Sequence, residues 1–236
     1  MRVRVAPIVL ALACARPKEL PRVDAEVGTD HALHDAKIAV ASHDALSDAA
    51  PRRESGPFGI LFDAGGPSLL VYLHGMGASP EDSCSFFERA ADGALLCPRG
   101  NAGPKAWAGP LSERRRTVDA ALAKVSQRSG TLIGFSIGAR FALDLALAEP
   151  GKWPALILMS QKLPLTPDVL EKAGVRKIVL AAGELDGSYA TMRAQANALG
   201  ARARFVSLGK VGHHFAVDME AVMVDAVTWV SQNHEH

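Results

Sequence analysis

A strand-like apolar run from Gly130 to Phe135 changes, at a single serine, into the helical period of Ala139 to Glu149. That serine stands between two glycines in Gly134-Phe135-Ser136-Ile137-Gly138. A chain that turns this sharply from strand to helix holds its corner residue in strained backbone geometry, and glycines two places on either side let the neighbouring backbone pack without clash. The pattern predicts that Ser136 stands clear of a sheet at the positive end of a helix. It is the sequence form of a nucleophile elbow.

Five residues recur by chance in a chain with this much glycine and serine, so the surroundings decide. Strands are expected near 58–62, 68–73, 94–97, 131–135, 155–159, 177–181 and 203–208. Helices are expected near 81–91, 112–127, 138–149, 166–173, 188–199 and 217–233. Alternation of this kind makes a mostly parallel α/β sheet with helices on both faces, and continuous apolar strands such as Leu69-Leu70-Val71-Tyr72-Leu73 suit a sheet covered on both sides. Several strands end in chemically suggestive segments: His74-Gly75-Met76-Gly77, then Ser136, then Gly183-Glu184-Leu185-Asp186, then Gly212-His213-His214-Phe215. Ser136, Asp186 and His213 thus follow one another in the order Ser, Asp, His, each after a strand.

Serine is a weak nucleophile at neutral pH and needs a base, and imidazole is the side chain whose ordinary pKa suits that role. A carboxylate on the other ring nitrogen then orients the imidazole and stabilises its cation. His214 and Glu184 are the alternative base and acid. His74 reads as a structural residue supporting its loop rather than as a second base. Trp107 is open to two readings, as a wall of an acyl pocket or as a packed loop aromatic.

From about Ser68 to Trp229 the chain resembles the α/β-hydrolase superfamily, and within it the small carboxylesterase, acyl-protein thioesterase and dienelactone hydrolase group. The resemblance rests on the elbow, on His74-Gly75-Met76-Gly77 followed by a helix, on Pro98-Arg99-Gly100 after a strand, on the loop carrying Trp107, and on the Gly-His-x-Phe pattern at Gly212 to Phe215. It implies Ser136 as nucleophile, Asp186 as acid and His213, rather than His214, as base. It also implies an oxyanion hole from the backbone N–H groups of Met76 and Ile137. Arg140 departs from the group, which usually has a small residue there, and an acidic partner is expected nearby. No cofactor or metal is needed, since a triad and oxyanion hole suffice for acyl transfer.

Between Ser160 and Lys177 there is room for one short helix. Larger relatives insert a cap domain there, so an open site without a cap is expected, accessible to small-molecule or lipid-like esters.

The termini differ from the rest. Met1-Arg2-Val3-Arg4 is positive, and Val5 to Ala13 is a short apolar run, which together outline a signal peptide over residues 1–15. Leu10-Ala11-Leu12-Ala13-Cys14 resembles the lipobox of bacterial lipoproteins, although Ala11 is smaller than that pattern prefers; cleavage after Ala15 is the competing reading. Export is expected by either route, to the periplasm or to a membrane through lipidated Cys14. Residues 16–56 read as a linker reaching on the order of 35 Å, and 57–236 as the catalytic domain. Cys84 and Cys97 are open to two readings, a disulfide in an oxidising compartment or small buried residues. His31, His34, His234 and His236 lack the further ligands that a metal site requires.

A formal net charge of +1, with basic residues scattered and Arg114-Arg115-Arg116 opening a helix, gives no nucleic-acid footprint. The leading expectation is an ester-cleaving serine hydrolase, of carboxylesterase, thioesterase or short-chain lipase type. A catalytically silent scaffold for binding at the cell surface is the alternative.

Overall fold

The computed structural model describes residues 50–232. The signal-like segment with Cys14, the linker up to residue 49, and His31, His34, His234 and His236 lie outside the described residues.

Eight strands form one sheet: β1 (Arg52–Gly56), β2 (Gly59–Asp63), β3 (Leu69–Leu73), β4 (Ala94–Pro98), β5 (Thr131–Phe135), β6 (Ala155–Met159), β7 (Lys177–Ala182) and β8 (Ala203–Ser207). Their order is β1-β2-β4-β3-β5-β6-β7-β8. From β4 to β8 all neighbours are parallel, while β1 and β2 join one edge antiparallel. The helices are α1 (Pro80–Ser83), α2 (Leu111–Leu122), α3 (Ile137–Ala148), α4 (Pro167–Ala173), α5 (Tyr189–Leu199) and α6 (Met219–Ser231).

Side chains alternate across a strand, so each apolar strand feeds two cores. Leu69, Val71 and Leu73 of β3 pack with Val118 of α2, Phe141 and Leu145 of α3 and Met192 of α5. Leu70 and Tyr72 of the same strand pack on the opposite face with Phe87 and with Met223 and Val227 of α6. Fully burying a side chain of this size contributes about 1.5–3 kcal/mol, and a sheet covered twice gathers that gain on both faces.

The structure departs from the sequence reading in three places. Residues 52–56, read as the end of a linker, form β1, which pairs with β2 from Arg52 opposite Asp63 to Gly56 opposite Gly59. Its sequence Arg-Arg-Glu-Ser-Gly has no apolar period because it is the sheet's outermost strand and most of it faces solvent. The helix expected over 81–91 divides into α1 and a 3₁₀ segment, Cys84–Ala90. Ser79 and Asp82 close a capping box at its start, and a disulfide from Cys84 to Cys97 of β4 ties down the point where the helix tightens. Both cysteines are also fully buried. Finally, α2 stops at Leu122 rather than 127, where the Arg128 guanidinium donates to the Leu122 carbonyl at 3.2 Å and to that of Val125, capping the free helix end.

Between β6 and β7 the chain has only the seven-residue α4 and its loops, with no inserted domain.

Candidate active site

Ser136 joins β5 to α3 with φ 54° and ψ −121°, a conformation costing a non-glycine residue about 1–3 kcal/mol. The surroundings leave it no alternative. A Cβ on Gly138 would lie 2.0 Å from the Leu73 carbonyl oxygen, and one on Gly134 would lie 2.5 Å from Ala139 Cα. Helix α3 therefore presses directly against β3 and β5, which is possible only with glycine at both positions. The Ser136 N–H donates to the Met159 carbonyl at 2.9 Å, fixing the corner to the end of β6.

Asp186 and His213 come to the same end of the sheet on the loops after β7 and β8. His213 Nε2 lies 2.9 Å from Ser136 Oγ, and its Nδ1 lies 2.8 Å from Asp186 Oδ2. The other carboxylate oxygen of Asp186 accepts from both the N–H and the hydroxyl of Ser188, each at 2.7 Å. Burial of Asp186 opposes its ionisation, yet the Ser188 hydrogen bonds, joined by that of His213, hold its carboxyl below the usual carboxylate range. Ser188 is a supporting residue that the sequence reading missed; Asp-Gly-Ser, an acceptor two residues before a donor, is the turn signal that marks it.

The alternatives fall elsewhere. The His214 imidazole is absent from the Asp186–His213–Ser136 chain of contacts, and its residue is exposed. Glu184 accepts from the Ser207 hydroxyl at 3.3 Å and does not engage the imidazole. His74 is fully buried. Its Nδ1 lies 2.9 Å from the Gly75 carbonyl, and burial pushes its pKa down.

The loop after β3 is pinned on both sides of Met76. Trp107 Nε1 donates to the His74 carbonyl at 3.1 Å, and the Gly77 N–H donates to the Lys105 carbonyl at 2.9 Å. Trp107 is buried, with its ring stacked between His74 and Phe141; it is a packed loop aromatic. Gly75 lies against the elbow, since a Cβ there would meet a Phe135 ring carbon at 2.9 Å and Ser136 Cβ at 3.4 Å. Met76 and Ile137 thus follow the two backbone segments that flank Ser136, and among the described residues neither N–H donates to a backbone carbonyl. Two such free donors are what a developing oxyanion requires.

Arg140 finds its acidic partner one helical turn on, with its Nε 3.1 Å from Asp144 Oδ1. It lies on the solvent side of α3, so the face of the helix against the sheet keeps its small residues. The His213 side chain is about half exposed, at 51%, and two surface hollows lie away from it. One, of about 700 Å³, lies between Phe58 and α2; another, of about 780 Å³, lies at the amino ends of β5 to β7. His213, and with it the end of the hydrogen-bonded chain at Ser136, is open to solvent.

The architecture is the α/β-hydrolase fold. The chain matches no protein-family model and no curated protein sequence. It is similar in structure to esterase PE8, with a TM-score of 0.56 and 21% identity over 75% of this chain and 98% of that one. TT1662 from Thermus thermophilus gives a TM-score of 0.55 and 20% identity over 78% and 100%. The Staphylococcus aureus fluorophosphonate-binding serine hydrolase F gives 0.55 and 15% over 78% and 98%.

Proposed function

We propose that the protein is a serine hydrolase that cleaves carboxylic esters through an acyl-enzyme on Ser136. The observation that carries this reading is the continuous relay from Ser136 Oγ through both nitrogens of His213 to Asp186. In the first half-reaction Ser136 Oγ attacks the ester carbonyl carbon while its proton passes to His213 Nε2. The carbonyl oxygen becomes an oxyanion held by the Met76 and Ile137 N–H groups, and Asp186 stabilises the imidazolium. Collapse breaks the bond to the alcohol oxygen, which takes the proton from Nε2 as it leaves. Water then attacks the acyl-enzyme by the same steps in reverse roles, releasing the acid and restoring Ser136.

Similar folds belong to an esterase and to a fluorophosphonate-binding serine hydrolase, which favours this reading over a silent scaffold. A solvent-open base suits bulky acyl groups, thioesters and short lipid-like esters among the substrates. Export is part of the proposal. The Cys84–Cys97 disulfide belongs to an oxidising compartment, and Cys14 is the residue that would carry a lipid anchor.

Intact-mass measurement after incubation with a fluorophosphonate, with peptide mapping, tests the mechanism. A single adduct on Ser136, abolished in Ser136→Ala together with ester turnover, is the expected result. Retention of turnover in Ser136→Ala would overturn the mechanism, and an unlabelled native protein would favour the binding scaffold.

A further inference from the structure

The base stands on a loop at one edge of the sheet. Its loop follows β8, an edge strand, and from residue 208 to 218 the chain has no helix or strand. Backbone hydrogen bonds secure the first half of this loop: Leu185 N–H donates to Val211 O at 3.0 Å, and His214 N–H to Gly212 O at 2.9 Å. Beyond His214, rings take over. Phe135, the residue before Ser136, has its ring 5.1 Å from the His213 imidazole and 4.8 Å from the ring of Phe215, centroid to centroid. Phe215 in turn meets Phe86 at 5.3 Å and Phe87 at 6.3 Å, both edge to face. Those two phenylalanines belong to the 3₁₀ segment that begins at Cys84, so the Cys84–Cys97 disulfide anchors the far end of the stack.

We propose that Phe215 is a positioning residue for the base, locking the His213 loop against Phe135 on one side and the disulfide-tethered Phe86 and Phe87 on the other. The inference rests on the serine-hydrolase reading and extends it beyond the three triad residues. Phe215 acts through its neighbours. Aromatic rings in contact prefer edge-to-face or offset geometries, so a stack of four fixes orientation as well as volume. Phe135 is the hub: the same ring packs against the base and fills the space where a side chain at Gly75 of the loop after β3 would stand. Relaxing the stack at its partly buried margin lets the imidazole drift from Ser136 Oγ while leaving the core on the other face of the sheet in place.

The test compares Phe215→Ala, Phe215→Leu, Phe215→Tyr and Phe86→Ala with the native enzyme. Misplacing a catalytic group by an ångström costs on the order of 100-fold in rate. Phe215→Ala should therefore lower kcat by roughly 10- to 100-fold, with KM changed by less than about threefold. The rate of fluorophosphonate labelling should fall in parallel, and the downfield proton resonance of the His213–Asp186 hydrogen bond should broaden. Leucine restores apolar volume without a ring and should remain slow, whereas tyrosine should recover most of the rate. Native kcat and an intact downfield resonance in folded Phe215→Ala overturn the proposal. If that variant does not fold, half-buried Phe86→Ala decides: a lowered kcat with a broadened resonance supports the stack, and unchanged values overturn it. The native enzyme is the control for the reading beneath: absence of labelling there removes the serine-hydrolase function itself, a result distinct from labelled native enzyme with indifferent variants.

Discussion

Asp186 meets His213 with one carboxylate oxygen, at 2.8 Å from Nδ1, while its other oxygen is held by Ser188. An acceptor at Nδ1 places the ring proton there and leaves Nε2 free to take the proton of Ser136. In Asp186→Asn the amide can present an N–H to Nδ1 and impose the opposite tautomer. The expected outcome is a loss in kcat on the order of 10³- to 10⁴-fold with the fold intact. Steady-state kinetics on an activated ester, with circular dichroism as the control for folding, checks it.

The depressed pKa of Asp186 is also a statement about stability. A carboxyl whose folded pKa lies below its unfolded value stabilises the native state above the unfolded value. That contribution is lost as the pH falls through the folded value. At neutral pH it is complete; it disappears only in acid, below the ordinary aspartate value of 3.8. Ser188→Ala removes the hydroxyl donor, so the Asp186 pKa should rise and the acid-unfolding midpoint should move to higher pH. Unfolding curves of native and variant protein between neutral pH and strong acid measure the shift.

The elbow gives a prediction about backbone packing. In Gly138→Ala the new methyl would enter the space of the Leu73 carbonyl, at 2.0 Å. That neighbour is main chain inside the central strands and has no rotamer to yield. Overpacking of this kind costs about 1–3 kcal/mol where side chains can adjust, and the rigid contact places Gly138→Ala at or above the upper end. Denaturant unfolding should show this loss, and Ser136 should label more slowly because its corner is displaced. Gly151→Ala, where a Cβ meets nothing within 4 Å but φ is 81°, separates conformational strain from collision and should cost less.

The central strands were legible because their apolar runs are continuous, and the predicted ends of β3 to β8 fall within a residue of those observed. The order of Ser136, Asp186 and His213 was legible for a related reason. In a parallel sheet every strand delivers its following loop to the same end, so chain order becomes proximity. β1 was hidden, because a polar edge strand has no apolar face to print a period. Ser188 was hidden because a serine two residues after an aspartate is an ordinary turn until the carboxylate is known to serve a histidine. The ring stack was the least legible feature. Phe86, Phe135 and Phe215 are far apart in sequence, and only the packing of the 3₁₀ segment against α6, next to the end of β5, brings them together.

The disulfide closes a short loop, with Cys97 lying 13 positions after Cys84. By the chain-entropy account, cross-linking a loop of this length restricts the unfolded state and stabilises the native one by about 3 kcal/mol. Both cysteines are buried beside Tyr72 and Phe87, so a reductant reaches them only as that side of the sheet opens. Reduction should therefore be slow in the native protein and faster in mild denaturant. Once reduced, the domain should melt roughly 6–12 °C lower, given the sensitivity of domains of this size. Thermal unfolding of Cys84→Ser/Cys97→Ser against the oxidised native protein measures the difference, and an unchanged melting temperature would show that the crosslink adds nothing to the surrounding core.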